Sequence, residues 1–181
     1  MPIAFGFRPY RHMSGGVIRA TEYPISAAYG TKIHTGAPVK LVAGYINLAA
    51  AGDTMVGIFG GVSYTNSVGE QKFSRYWTGE ASATNIKAFV WDDPDLLFSV
   101  MDDGVGDYLT QADIGSTGDH IAGTANDVTG ISGAMLDTST VGTDAGFRVV
   151  ELVPRAGNAF GTQNGQQAEV VVLINEHLYA R

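Results

Sequence analysis

The sequence of 181 residues contains no cysteine, which removes disulfides, thiolate metal sites and cysteine nucleophiles together. No apolar run approaches the roughly 18 residues that a membrane-spanning helix needs. The first residues, MPIAFGFRPYRH, lack the apolar core of a secretory leader. A chain made in soluble form, starting in a cytoplasm, is therefore expected. It must take its stability from packing or from partners. Long amphipathic helical patterns are also missing, which leaves no helix N-terminus to cradle a phosphate, and the glycine clusters fit neither a Walker loop nor a dinucleotide fingerprint. Cations are missing from one stretch entirely: residues 88–147 hold eleven Asp and no Lys or Arg.

Charge is accordingly uneven. Residues 1–87 carry eight Lys/Arg against four Asp/Glu, residues 148–181 balance three against three, and the net is −7. An acidic middle repels phosphate, so nucleic acid is not an expected partner, and no membrane contact is expected either. A basic front and an acidic middle suit contacts between subunits.

Glycine is abundant, with 24 residues. It is costly inside helices and useful in turns and bulges, so the excess argues for many short strands. Alternating or β-branched runs lie at 17–25, 38–50, 51–65, 71–79, 86–93, 96–104, 146–154 and 168–179, divided by Gly, Pro and Asp. The expected fold is all-β, a barrel or sandwich of about nine short strands. Residues 1–16 are expected as an extended arm, 17–181 as a single β domain, and 102–145 as a Gly/Thr/Asp-rich excursion forming an acidic lobe or flap. Within that excursion a short helix is expected near Thr110–Ile114 and a strand at Gly133–Asp137.

Catalytic constellations are not evident. Asp92, Asp93, Asp95, Asp102, Asp103 and Asp107 are the best cation candidates, yet they lack calcium-loop spacing and a closing Glu, and Asp-Asp-Pro and Asp-Asp-Gly suit turns. His12, His34, His120 and His177 stand far apart without paired metal-ligand spacing. Asp119–His120 has no nucleophile elbow to serve. No enzyme activity, cofactor or metal is expected. The interleaved KFSRYW, residues 72–77, would suit stacking on sugar or single-stranded nucleic acid, although one face of such a strand would pack in the core.

The run TGAPVKLVAGYINLAAAGDTMVGIFGGV, residues 35–62, resembles the head decoration, or cement, proteins of tailed bacteriophages. FGFRPYRHMSGGVIRATEYPI, KFSRYWTG, IKAFVWDDPDLLF and NEHLY give a layout similar to a virion structural protein of short-tailed phages. The resemblance implies a protein on the outer capsid surface, made in the cytoplasm of a bacterial host, whose partners are the major capsid protein and copies of itself, as in trimers. Carbohydrate or receptor binding is the alternative, and Trp77 and Trp91 are its candidate platforms.

For capsid docking the arm supplies the expected residues. Phe5, Phe7 and Tyr10 offer anchors, and Arg8 and Arg11 offer forked donors to carboxylates, the residue types enriched where interfaces concentrate their energy. Pro2, Pro9 and the glycines would keep the arm extended, with free backbone to add to a neighbouring sheet. The opposing expectation is that Phe5 and Phe7 fold back into their own domain as a first strand.

Overall fold

The alternating runs become strands almost wherever they occur in a computed structural model that describes residues 4–180. In chain order they are β1 (Arg8–His12), β2 (Thr21–Pro24), β3 (Ile33–His34), β4 (Pro38–Val42) and β5 (Tyr45–Leu48). Then come β6 (Gly57–Thr65), β7 (Gln71–Ser74), β8 (Tyr76–Trp77), β9 (Thr84–Trp91) and β10 (Leu96–Met101). The last are β11 (Thr117–Gly118), β12 (His120–Ile121), β13 (Met135–Leu136), β14 (Phe147–Leu152) and β15 (Glu169–Ile174). The fold is all-β. Its helical content among the described residues is two short 3₁₀ turns, Gln111–Asp113 and Thr138–Thr140.

Two antiparallel sheets carry the structure. One has the order β1-β10-β15-β14-β11. The other runs β2-β9-β6-β4-β5, with β7 also on β6, and it curls until β5 approaches β2. Inside the curl lie Val39, Ile46, Phe59, Val62, Trp77, Ala88 and Val90. The main core fills the space between the sheets. Phe98, Val100, Phe147, Val170 and Val172 come from the first sheet, Ile58 comes from the second, and Met55 comes from the segment that leads into β6. The backs of β10 and β15 carry a smaller cluster of Leu97, Val153 and Val171.

A bulge decides which face of β6 goes where. Pairing with β9 slips between Phe59 and Gly61, so one extra residue enters β6. Phe59, Val62 and Tyr64 therefore share the curled core, although strict alternation would place Phe59 opposite the other two. Ile58, one residue earlier, faces the main core. At Gly60 a side chain would crowd the Trp91 ring, which explains glycine at the bulge.

Three expectations change. Residues 8–12 are not a free arm, because β1 pairs with β10 as the outer strand of its sheet. The first expected strand, 17–25, forms only at Thr21–Pro24, and residues 17–20 have no regular structure. Residues 102–145 are not a detached lobe, since Leu109, Ala134 and Leu136 are main-core residues and β11 extends the first sheet. Their apolar side chains had too little periodicity to reveal this.

Candidate functional site

The chain passes from the curled sheet to the flatter one at the turn between β9 and β10, Asp92–Asp95, and this turn forms one wall of a cleft of about 670 Å³. Arg19 and Thr21 line one side, and Leu173, Asn175 and Tyr179 line another. Asp92 is held by hydroxyls: Thr21 Oγ1 donates to Oδ1 at 2.8 Å and the Tyr23 phenol to Oδ2 at 2.7 Å. The Tyr179 hydroxyl lies 3.4 Å from that of Tyr23. Burial and the bonds to Tyr179 and Asp92 push the Tyr23 phenol far above its usual range, so it stays a donor. Asp93 closes the turn by accepting from the Asp95 backbone N–H at 2.9 Å.

Both ends of the segment between β1 and β2 are fastened to this turn. At the first end, the Met13 N–H donates to the Asp95 carbonyl at 3.0 Å, and His12 Nε2 lies 3.1 Å from Asp93 Oδ2. At the other end stands the Thr21–Asp92 bond. Between them the chain arches outward, and Gly16 sits against the His12 ring, where a Cβ would be crowded.

His12, Asp93 and Asp95 bring one potential ligand atom each within 4.8 Å of one another. The hydrogen bonds argue against a metal. The Ser14 backbone N–H donates to His12 Nδ1 at 3.2 Å, so the ring proton belongs on Nε2, where it is donated to Asp93. A ligating nitrogen must present a lone pair, and the Ser14 amide occupies the one available. The wider Asp set is not one cluster. Asp92, Asp93 and Asp95 precede β10 and Asp102, Asp103 and Asp107 follow it, separated by a six-residue strand of about 20 Å.

Asp102 is 1% exposed. Its Oδ1 accepts from the Ala168 N–H at 3.0 Å, but Oδ2 has no partner. Burial, with Asp103 adjacent, raises its pKa to about 7. His177 is likewise buried; its Nδ1 accepts from the Tyr179 N–H, and desolvation lowers its pKa. Asp119 and His120 lie together, with Nδ1 3.2 Å from Oδ1, but their further contacts are structural. The Gly52 N–H donates to Asp119 Oδ2 and His120 Nε2 lies 3.2 Å from the Ala49 carbonyl. His34 Nε2 is 2.8 Å from Asp127 Oδ1, and Lys32 pairs with the same carboxylate. The bonds from Lys32 and His34 hold the Asp127 pKa below the usual range, and both side chains line a small, alanine-rich cavity of about 230 Å³.

The expected docking residues divide. Phe7 is fully buried and is no surface anchor, because its ring fills the main core. Phe5 is half-buried and carries the Arg8 guanidinium 3.9 Å above its ring centroid. Arg8, Tyr10 and Arg11 are exposed, and Arg11 reaches Glu151 at 3.0 Å. Pairing of β1 slips between Pro9 and Arg11, leaving Tyr10 as the unpaired bulge residue. With Pro9 also lacking an N–H, β1 is a poor template for strand addition, contrary to expectation. Met1 to Ile3 lie outside the described residues.

Neither tryptophan offers a sugar platform. Trp77 is fully buried, with its indole N–H donated to the Tyr29 carbonyl at 2.9 Å, and Trp91 packs against the main core. Sequence reasoning missed the cleft and the arching segment, since Val17 and Ile18 look like the start of a strand. No protein-family model matches this chain, and neither does any curated protein or solved structure.

Proposed function

We propose that this chain is a decoration, or cement, protein of a tailed-phage head. It binds the outside of the icosahedral shell and reinforces contacts between major capsid subunits. The observation that carries the reading is the exposed trio Arg8, Tyr10 and Arg11 on an outer strand whose neighbour Phe7 is locked into the core. Rigid backing of this kind lowers the entropy lost on docking, and Arg and Tyr are the residues that interfaces favour. The resemblance of residues 35–62 to decoration proteins supports the same reading, and those residues form β4, β5 and the start of β6. Contacts to copies of itself, as in a trimer, would multiply weak individual contacts across a symmetric shell.

The test is association with particles. Purified phage heads from the source system should contain this protein in near-stoichiometric ratio to the major capsid protein, and stripped heads should rebind it. A protein absent from particles and unable to bind stripped heads overturns the assignment.

A further inference from the structure

We infer that the segment Gly16–Arg19 and the adjoining cleft walled by the Asp92–Asp95 turn form a docking surface for an extended, basic segment of another protein chain. The inference stands apart from the shell assignment, because it rests on different residues and names the partner by chemistry alone.

Three observations converge on that partner. First, Gly16, Val17, Ile18 and Arg19 make no backbone hydrogen bond among the described residues, although the segment is fastened at both ends. None of the four has a positive φ, so their free N–H and C=O groups suit pairing with an incoming strand. Second, Val17 is 86% exposed, an apolar side chain with almost no cover from this chain, beside Ile18 at 40%. Third, the cleft that begins at Arg19 is walled by Asp92, Asp93 and Asp95. Asp95 has no side-chain hydrogen bond or ion pair among the described residues, so the wall exceeds its own cations. A basic side chain on the incoming strand would meet it, steered by the field of the acidic middle of the sequence. A strand has what this combination asks for: main-chain donors and acceptors in line, apolar side chains on one face for Val17, and a cation on the other for Asp95.

The probe is an acetylated, amidated hexapeptide, Lys-Val-Lys-Val-Lys-Val, titrated into the isotope-labelled full-length chain and followed by NMR. Amide shifts and slowed hydrogen exchange at Gly16–Arg19 are expected, with binding that weakens as salt rises. A Glu-Val-Glu-Val-Glu-Val peptide should not bind. Asp95→Asn should weaken the Lys-Val peptide by about fivefold, the cost of roughly one kcal/mol of charge pairing. Val17→Pro, which removes a backbone donor where no internal pairing is lost and a side chain that is 86% exposed, should abolish protection of the segment while leaving the melting temperature unchanged. Should that variant misfold, the Asp95→Asn and salt arms still decide. Equal binding of the acidic peptide, Lys-Val binding that leaves Gly16–Arg19 unprotected, or cleft shifts produced by maltotriose instead of the peptide would each overturn the inference.

Discussion

The Phe7 ring stacks on Phe147, with centroids 4.3 Å apart and planes inclined by 18°. Phe147 meets the His120 ring edge-on at 5.9 Å. This stack joins the segment before β1 to β14 near the other end of the chain, so the N-terminal region belongs to the core. Phe7→Ala should lower unfolding free energy by about 3–5 kcal/mol, the range for losing a buried phenylalanine. Denaturant titration reads this directly. Deleting residues 2–12 should unfold the protein, and a truncated chain that melts like the full one would contradict the stack's role.

Surface residues on the same strand should behave oppositely. The double variant Arg8→Ala, Tyr10→Ala removes exposed side chains and should cost less than about 1 kcal/mol of stability. Arg11→Gln breaks an ion pair whose side chains are 48% and 40% exposed, which is worth little at the surface. Particle binding should nonetheless fall in both. Retained binding by all the variants would remove this strand from the interface.

Asp102 should make stability depend on pH. Its folded pKa of about 7 stands above the usual 3.8. Below pH 4 the carboxyl is protonated in both states and its contribution is fully present. Between about 4 and 7 only the unfolded chain releases the proton, so stability falls as pH rises, and above 7 the loss is complete. Asp102→Asn keeps the oxygen that accepts from Ala168 and carries no charge. It should be more stable than the native chain at pH 8 by about 2–4 kcal/mol, and the advantage should vanish near pH 4. Thermal melts across this range check the sign, and an advantage that grows on acidification would contradict the burial argument.

Gly123 and Gly133 lie backbone to backbone where the excursion returns to the core. A Cβ on Gly123, whose φ is +58°, would land on the Gly133 carbonyl oxygen, and one on Gly133 would strike the backbone of Thr124. Alanine at either position should destabilise by about 1–3 kcal/mol or more, since a backbone clash must be relieved at both and a disfavoured conformation at Gly123 as well. Gly69, with a φ of +85° and open space around it, should tolerate alanine better.

Strand content and position were legible in the sequence. Period-two apolarity, continuous apolar runs and glycine-rich turns are local properties; IKAFVWDD became a strand on the first, and LLFSVM and AEVVVLIN on the second. Even the weakly patterned excursion disclosed its 3₁₀ turn beside Thr110 and its short strand Met135–Leu136. Face assignment was not legible where a bulge intervened. Phe59 and Val62 share a core only because β6 carries an extra residue, and Tyr10 turns outward only because β1 does. The fate of RPYRH and VIRA was likewise set by tertiary structure. Both runs could form strands, but β10 offered a partner to Arg8–His12, while β9 offered one only from Thr21 onward. A strand forms where another edge can satisfy its backbone, and which edges meet is a property of the whole chain. The sequence by itself therefore determined the all-β class and the supply of turns. Only the tertiary structure decided that Phe7 is core, that Gly16–Arg19 is free, and that Asp92, Asp93 and Asp95 wall a cleft.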